Sequence, residues 1–432
     1  MAMIRVLVMA ESASLAHVGR AIAFALELPH NQFKCSYASG NSYRPFFAGL
    51  EAEFFPITSI DPERFNAALA RGQPIYDEAT VGLQVMEDLE ILERARPDVV
   101  VGDFRLSLAI SARISGIPYV NVCNAHWSPW RDGAQYPVPS LPITRRLTRM
   151  LGIRLTRRVF NFGLPRALAV HARGFNAVRR AYKLGDVPDI RWIYADGDIV
   201  AYADMPSVAP VSGQPKTHAY VGPLSWSPEV PLPEWWQDVP RDKPVAYVTM
   251  GSTGNPALLP VVARELSARG FASVIATAGR AGPITGVQDC FTATYLPGAR
   301  ACRSAKLVVC NGGSATVYQA MTQGRPVLGL PVNLDQALTM DGVARVGAGL
   351  AIAPTLQCAK TIAKGMDNVL ACLESMTARC KDLATAGASE QRVVQPEVCV
   401  ITALERRFPR ATHRPASDRI RPDPGVEFRS EP

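Results

Sequence analysis

Short apolar runs alternate with longer segments of helical periodicity in the first half of the chain. The helical segments are Val18–Leu28, Asp77–Arg96 and Leu106–Ile114. The apolar runs are Arg5–Met9, Phe33–Tyr37, Asp98–Val101, Tyr119–Val122 and Ile199–Tyr202. Strands that alternate with helices form a parallel sheet covered by helices on both faces. The pattern therefore predicts an α/β domain.

The second half repeats this plan. It predicts strands at Val245–Met250, Ala272–Thr277, Thr292–Tyr295, Ala305–Cys310 and Pro326–Leu330. It predicts helices at Ala257–Arg269, Ser314–Thr322, Leu334–Val346, Lys360–Leu373 and about Glu390–Arg406. We therefore expect two doubly wound, Rossmann-like domains. Such domains place the carboxyl ends of their strands, where ligands bind, toward a central cleft.

The segment Val221–Pro244 breaks the pattern, because it holds six prolines and three tryptophans. We predict an N-terminal domain over 1–220, a linker over 221–244 and a C-terminal domain over 245–407. The last helix of the C-terminal domain is a candidate to cross back to the first domain. Residues 408–432 are rich in Pro, Arg, Asp and Ser and are predicted to be disordered.

Composition narrows the class of protein. A hydrophobic fraction of 48% over 432 residues is enough for two cores. The net charge of +8 suits anionic ligands or membrane surfaces and is no evidence for nucleic acid. Nine cysteines without a CxxC pair suit reduced thiols in a cytoplasmic enzyme. No apolar run reaches the ~18 residues of a membrane span, and Ile4–Ala10 is too short for a signal peptide.

The most informative stretch of the chain is NGGSATVYQAMTQGRPVLGLPVNLDQ, over residues 311–336. Gly312 and Gly313 follow an apolar strand and let the backbone approach a ligand. Ser314 is a candidate N-cap for a helix whose N–H groups and dipole favour an anion. A tight turn without a ligand is an equal alternative for these residues alone.

Other polar positions favour a ligand. Asp335 and Gln336 follow the next strand and suit the vicinal hydroxyls of a sugar. Gly251 and Ser252 end the first strand of the domain and offer N–H and hydroxyl donors to phosphate. Leu296, in the sequence YLPG, lies where a nucleotide base would rest on apolar atoms.

This set of motifs resembles the donor-binding domain of family 1 glycosyltransferases, which include the UDP-glucuronosyl/glucosyltransferase-like and macrolide glycosyltransferase-like enzymes. The resemblance covers most of residues 245–349 and implies the GT-B fold with a nucleotide-diphosphate sugar as co-substrate. It implies diphosphate contacts from Gly312, Gly313, Ser314 and Thr316, and sugar contacts from Asp335 and Gln336. It also implies that the enzyme needs no metal or other cofactor.

Two positions depart from the pattern of the family. Asn311 stands where the family usually has His, and Gln319 stands where a Glu often binds the ribose. An Asn amide donates a hydrogen bond to phosphate but cannot become cationic. Gln319 accepts a ribose hydroxyl without the help of a charge. Both changes bear on donor affinity and on the choice of nucleotide.

His17 follows the first strand and a loop of small residues, where the family places a catalytic histidine. An acceptor hydroxyl must lose its proton as it attacks, and His titrates in the right range. Asp103, after the strand DVVVGD, is the candidate carboxylate that orients this base. The alternatives are a solvent-exposed His17 at the start of a helix and an Asp103 that only caps the helix near Leu106.

Three further features have weaker interpretations. His126, in the loop NAHWSPW, is more often a satisfied loop residue than a ligand, although the aromatics beside it suit an acceptor pocket. Asp196 and Asp198 resemble a DxD metal motif, but we interpret them as a turn and expect no metal site.

Leu141–Arg166 holds seven arginines and no acid, with apolar residues near helical spacing. It predicts either a helix packed on its own domain or peripheral contact with an anionic membrane.

The sequence thus predicts an inverting, metal-independent glycosyltransferase. It would move a sugar from a UDP- or dTDP-sugar to a hydroxyl of a lipophilic small molecule or lipid. The alternative is a catalytically silent homologue that binds nucleotide or activates a partner. The loops that would form the acceptor pocket match nothing specific, so neither the acceptor nor the sugar follows from the sequence.

Overall fold

The computed structural model describes residues 3–50, 52–133, 135–386 and 394–407. The tail over 408–432, predicted to be disordered, lies outside the described residues. All nine cysteines lie inside them, and none forms a disulfide.

The first sheet has seven strands, all parallel, in the order β3-β2-β1-β4-β5-β6-β7. The strands are β1 Ile4–Ala10, β2 Phe33–Ser39, β3 Phe54–Pro56, β4 Val99–Asp103, β5 Tyr119–Cys123, β6 Ile199–Tyr202 and β7 His218–Tyr220. The helices in this part are α1 Leu15–Leu26, α2 Pro62–Arg71, α3 Glu78–Ala95, α4 Leu108–Ser115, α5 Pro142–His171, α6 Arg173–Ala181 and α7 Arg191–Tyr194.

The second sheet has six parallel strands in the order β10-β9-β8-β11-β12-β13. They are β8 Val245–Thr249, β9 Ala272–Ala276, β10 Cys290–Ala293, β11 Leu307–Cys310, β12 Val327–Gly329 and β13 Gly349–Ala351. The helices are α8 Leu259–Ser267, α9 Gly298–Ser304, α10 Ser314–Thr322, α11 Leu334–Arg345, α12 Ala359–Ala371, α13 Leu373–Ala386 and α14 Pro396–Arg407. Short 3₁₀ helices lie at Asn41–Leu50, Ala125–Trp127, Glu234–Asp238, Pro256–Leu258 and Pro354–Leu356.

The predicted fold class is confirmed, and each of the ten predicted strands is present within two residues of its expected ends. Local chemistry explains the helix boundaries. Asp77 caps α3 by accepting a hydrogen bond from the Thr80 N–H, and Asn333 caps α11 by accepting one from Gln336. Gly116 ends α4 in the left-handed conformation that glycine tolerates.

The two sheets are joined by residues that pack into both cores. Val221 and Leu224 are buried against the first sheet, whereas Trp235 and Trp236 pack on the core of the second. Helix α14 returns to the first sheet and buries Cys399, Val400 and Ala403 in its core. The carboxyl ends of both sets of strands face a shared cleft, which brings the predicted site residues into reach of each other.

Candidate active site

One cavity lies between the two sheets, and residues of both line it. Eleven of the thirteen predicted site residues contribute to its wall: His17, Gly251, Ser252, Leu296, Asn311, Gly313, Ser314, Thr316, Gln319, Asp335 and Gln336. The other two, Asp103 and Gly312, lie behind the wall. The structure therefore gathers residues that are up to 319 positions apart into one cleft (336 minus 17).

His17 lies in the first turn of α1, which begins at Leu15, three residues earlier than predicted. Its Nδ1 is 2.9 Å from Oδ1 of Asp103. The Asp103 side chain is fully buried, while 19% of the His17 side chain is exposed in the cleft. An ionised Asp103 accepts a hydrogen from Nδ1, so the lone pair lies on Nε2. The pair therefore has the arrangement of an oriented base.

Arg20 completes the surroundings of Asp103. Its Nε is 2.5 Å and its Nη2 2.8 Å from the two Asp103 oxygens. Burial raises the pKa of Asp103, but the charge and hydrogen bonds of Arg20 and the hydrogen bond of His17 outweigh burial and hold that pKa below its usual value. Asp103 is therefore ionised at neutral pH.

Phe104 holds the other side of the His17 ring. The two rings are stacked, with centroids 4.2 Å apart and an interplanar angle of 8°. Phe104 itself has φ of +58°, which bulky residues rarely adopt. Its neighbour Arg105 is fully buried, with Nε 2.8 Å from Asp88 and Nη1 3.3 Å from Glu11.

The loop before α10 places backbone N–H groups at the cavity. Asn311 Oδ1 accepts a hydrogen bond from Gly313 N at 3.2 Å. Gly312 has φ of +82°, and a Cβ there would lie 2.5 Å from Met340 Cγ, so only glycine fits. The N-cap of α10 is Gly313 and not the predicted Ser314, because Asn311 already shapes this turn and the helix includes Ser314.

Gln319 is held by the segment that joins the domains. Its Nε2 donates to the Trp226 carbonyl at 2.5 Å and to Ser227 Oγ at 3.1 Å. A glutamate has no N–H to donate to that carbonyl, so the amide at this position matches its surroundings. Gln319, which departs from the family pattern, therefore has a hydrogen-bond partner in this chain that a glutamate could not use.

Asp335 is bonded across the cleft. Its Oδ1 accepts from His126 Nε2 at 2.9 Å and from Trp127 Nε1 at 2.7 Å. His126 is nearly buried, whereas 39% of the Asp335 side chain is exposed. Burial raises the pKa of Asp335. The interactions with His126, the hydrogen bond from Trp127 and the charge of His17 outweigh burial and lower that pKa to about 2. Oδ2 takes no part in these two bonds.

Gln336 is buried, whereas the adjacent Asp335 is partly exposed. Its Oε1 accepts from Val332 N at 2.9 Å, and its Nε2 donates to Thr253 Oγ1 at 2.9 Å. The amide thus joins the start of α11 to the loop after β8. It shapes the wall of the cavity through Thr253.

A second polar link joins the two domains and begins at the cavity wall, which Arg20 and Asn124 help to form. Arg20 Nη1 donates to Asn124 Oδ1 at 2.5 Å, and Asn124 Nδ2 donates to Asp204 Oδ1 at 2.8 Å. Tyr318 of α10 donates to the same Asp204 oxygen at 2.8 Å. A continuous chain of hydrogen bonds therefore runs from Asp103 to the helix at the predicted phosphate site.

Several of these residues were not predicted from the sequence. Arg20 lies three positions after His17, a spacing that puts both residues on one helix face. Its place beside His17 could therefore have been predicted from the sequence. Asn124 and Asp204 follow adjacent strands, so their meeting depends on the strand order. Phe104 carried no signal, since its role depends on backbone conformation. Trp127 was expected only as one of the aromatics that suit an acceptor pocket, and it lines the cavity, but its bond to Asp335 depends on how the two domains meet.

The Asp196–Asp198 turn is held by structural contacts. Asp196 pairs with the Arg113 guanidinium, and Asp198 Oδ2 accepts from Tyr119 N at 2.8 Å. Both carboxylates therefore stabilise the start of β5 and its neighbouring helix.

Comparison with known proteins identifies relatives along most of the chain. A PGL/p-HBAD biosynthesis glycosyltransferase of Mycobacterium tuberculosis is 38% identical over 347 residues, 80% of this chain and 80% of that protein. A PGL/p-HBAD biosynthesis rhamnosyltransferase of Mycobacterium bovis is also 38% identical, over 80% of this chain and 76% of its own. An inactive PGL/p-HBAD biosynthesis glycosyltransferase of M. bovis is 36% identical over 61% of this chain. No protein-family profile matches the sequence.

Solved structures agree on the fold. The calicheamicin glycosyltransferase CalG4 superposes with a TM-score of 0.65 at 17% identity, over 94% of this chain and 99% of that one. The spinosyn rhamnosyltransferase SpnG, solved with thymidine diphosphate, has a TM-score of 0.62 at 19% identity, over 92% and 99% of the two chains. The architecture is that of GT-B glycosyltransferases. The chain belongs to the same family as its mycobacterial relatives and is a family 1 glycosyltransferase.

Proposed function

We propose that this enzyme is an inverting glycosyltransferase that uses His17 as its base. It moves a sugar from a UDP- or dTDP-sugar to a hydroxyl of a lipophilic acceptor. One observation carries the proposal: His17, held by Asp103, faces the same cavity as the start of α10 and Asp335. A base, an anion site and a sugar-binding carboxylate thus share one cleft.

The proposed step is a direct displacement. The acceptor oxygen attacks the anomeric carbon while its proton passes to Nε2 of His17. The bond between that carbon and the diphosphate oxygen breaks, and the nucleoside diphosphate leaves. Asp103 stabilises the imidazolium that forms. Attack from the side opposite the leaving group inverts the anomeric centre.

The donor lies on the C-terminal side of the cleft in this proposal. N–H groups at Gly313–Thr316 and the dipole of α10 stabilise the diphosphate, with donors from Gly251 and Ser252. We propose that this electrostatic stabilisation serves in place of a metal. The thymidine diphosphate bound by SpnG supports a dTDP-sugar, and the rhamnosyltransferase among the relatives supports a 6-deoxyhexose.

The acceptor lies on the N-terminal side. Apolar side chains form the cavity wall there, including Phe65, Leu69, Ile75 and Leu106. Such a wall suits a lipophilic molecule with a single reacting hydroxyl. The PGL/p-HBAD pathway in the names of the relatives and the spinosyn aglycone bound by SpnG support this class of acceptor. Peripheral contact with a membrane through 141–166 belongs to the same proposal, because lipophilic acceptors partition into bilayers.

A catalytically silent protein is the second candidate. One relative is named an inactive glycosyltransferase, and Asn311 and Gln319 depart from the family pattern. His17 and Asp335 line one cavity, and Asp103 is hydrogen-bonded to His17 behind its wall, which favours the enzyme.

A donor screen tests the proposal. UDP- and dTDP-sugars are compared by thermal shift, and the donors that stabilise the protein are then incubated with a panel of phenols. A donor at 100 times its Kd stabilises the folded state by about 2.7 kcal/mol. We expect stabilisation by at least one donor and a glycosylated phenol with inverted configuration. Stabilisation without transfer or hydrolysis would favour the silent protein, and a product of retained configuration would exclude the displacement.

A further inference from the structure

The outer face of α5 exposes an unusual amount of apolar surface. Among the described residues, fourteen large apolar side chains are exposed, and six of them belong to α5. Phe162 is the most exposed, at 79%, followed by Met150 at 68% and Ile143 at 58%. Leu151, Leu155 and Val159 are 44 to 45% exposed. A patch of this kind on a single helix marks an interaction surface.

The apolar side chains form two rows along the outside of the helix. Ile143 and Met150 lie in the first row with Leu147 between them, and Leu155, Val159 and Phe162 form the second. Each row has the spacing i, i+4, i+7, which places its members on one face. Gly152, with φ of +72° and ψ of 164°, breaks the helix between the rows.

The inner face of α5 is less apolar than the outer face. Its buried residues are Thr144, Thr148, Thr156, Leu164 and Leu168. A helix that only packs on its own domain turns its apolar face inward and its polar face outward. The first half of α5 does the reverse, since threonines point inward while Ile143 and Met150 point outward. The expectation of a helix packed on its own domain therefore leaves this outer face unexplained.

The same surface carries strong positive charge. Seven arginines of α5 are exposed: Arg145, Arg146, Arg149, Arg154, Arg157, Arg158 and Arg166. No Asp or Glu occurs between Asp132 and Asp186. Within the described ranges, none of the seven arginines has an ion pair with a carboxylate. The surface thus combines exposed apolar side chains, which are more stable out of water, with arginines that can bind anions.

We infer that the outer face of α5 docks on an anionic lipid bilayer. The apolar rows enter the boundary between headgroups and acyl chains, and the arginines bind the phosphate groups beside them. A second copy of the chain is the less suitable occupant, because a symmetric contact would set arginine against arginine. No helix in the described part of the chain is long and apolar enough to cross a bilayer, so this contact is with the surface.

The position of α5 connects this surface to the acceptor. Leu164 and Leu168, on its inner side, share a hydrophobic cluster with Phe65, Leu69 and Ile75, which line the cavity. The outer face thus lies about one helix diameter, ~10 Å, from the apolar wall of the cavity. This arrangement lets a lipophilic acceptor pass from the bilayer to the cavity with little exposure to water, a role that rests on the proposed function.

Vesicle binding tests the inference without any substrate. Flotation compares vesicles of phosphatidylcholine alone with vesicles that also contain phosphatidylglycerol, at low and high salt. We expect binding only to the anionic vesicles and release by salt. At about 1 kcal/mol for each arginine, the triple variant R154Q/R157Q/R158Q weakens binding by roughly 100-fold. The double variant V159S/F162S weakens it by roughly tenfold or more.

Matched variants control for loss of charge or apolar surface elsewhere. R264Q/R300Q/R406Q removes three exposed arginines outside α5, and L83S/M86S removes two side chains of α3 that are 45% and 46% exposed. Both are expected to bind vesicles like the wild type. Absence of anionic binding, or equal losses in the control variants, would overturn the inference. So would a concentration-dependent dimer that V159S/F162S dissociates. Transfer to a water-soluble phenol, measured without vesicles, reports separately on the proposed function.

Discussion

Between Asp103 and Arg105, the chain places an aromatic residue in the left-handed region of backbone conformation. Phe104 has φ of +58°, which costs on the order of 1–3 kcal/mol for a residue with a side chain. Its neighbours hold this geometry: Asp103 bonds to His17 and Arg20, and Arg105 is anchored among buried carboxylates. The result is a ring stacked on His17 at 4.2 Å. We interpret Phe104 as the residue that fixes the plane of the proposed base.

Replacement of Phe104 by Gly and by Ala separates these two effects. Both changes remove the ring, so both are expected to lower the transfer rate about tenfold or more with donor affinity unchanged, because His17 loses its orientation. Glycine also accepts φ of +58°, so F104G is expected to be more stable than F104A by about 1 kcal/mol. Steady-state kinetics and chemical denaturation measure the two quantities. Unchanged kinetics in both variants, or a more stable F104A, would contradict this role.

Some of these residues were predictable from the sequence, and others were not for physical reasons. His17 and Asp103 follow strands, and the pairing expected between them is present at 2.9 Å. The roles that the sequence assigned to them stay predictions. Asn311 was expected to donate to phosphate, whereas its oxygen also accepts from Gly313 and shapes the turn. The sequence does not show that Phe104 has a positive φ or that the Trp127 N–H donates to Asp335, so these two contributions to the site could not be predicted.

At the level of elements, strand order explains how the site forms. β1, β4, β5 and β6 are consecutive in the first sheet, so the polar residues at their carboxyl ends stand in a row: Glu11, Asp103, Asn124 and Asp204. Alternating strands and helices predicted the two sheets, but three edge strands were missed. β3, β7 and β13 have three residues each, too few to show a pattern. For α5, composition showed the amphipathic helix but not that its apolar rows face outward.

For the whole molecule, the cleft is crossed by contacts from both domains. His126 and Trp127 bind Asp335, and the Asn124–Asp204–Tyr318 chain forms a second link between the domains. His126 and Asp335 are 209 residues apart, so the pairing of the loop with the donor motif was not accessible from the sequence. These contacts hold the Asp335 carboxylate in one orientation.

Acid is expected to weaken the His126–Asp335 contact. The pKa of Asp335 in the folded protein is about 2, below its ordinary value of 3.8. A lowered pKa gives stability that is present above pH ~4 and lost as the pH falls toward 2. The difference in thermal midpoint between wild type and D335N is therefore expected to be constant from pH 7 to 5 and to shrink below pH 4. Differential scanning calorimetry at a series of pH values measures it.

The variants H126Q and W127F provide the matched controls for that experiment. Glutamine keeps an N–H donor toward Asp335, so H126Q is expected to retain more of the pH dependence than H126A. W127F keeps an aromatic side chain but removes the indole N–H that donates to Asp335. A difference between wild type and D335N that is independent of pH down to 2 would contradict the contact.

The central claim is that His17 removes the proton from the acceptor. The most direct test is the rate of sugar transfer by H17A, with donor affinity measured on the same preparation. The account predicts a fall in rate of about 100-fold or more, since general base catalysis contributes 10²–10⁴-fold, and an unchanged donor Kd. Turnover by H17A close to that of the wild type would contradict it.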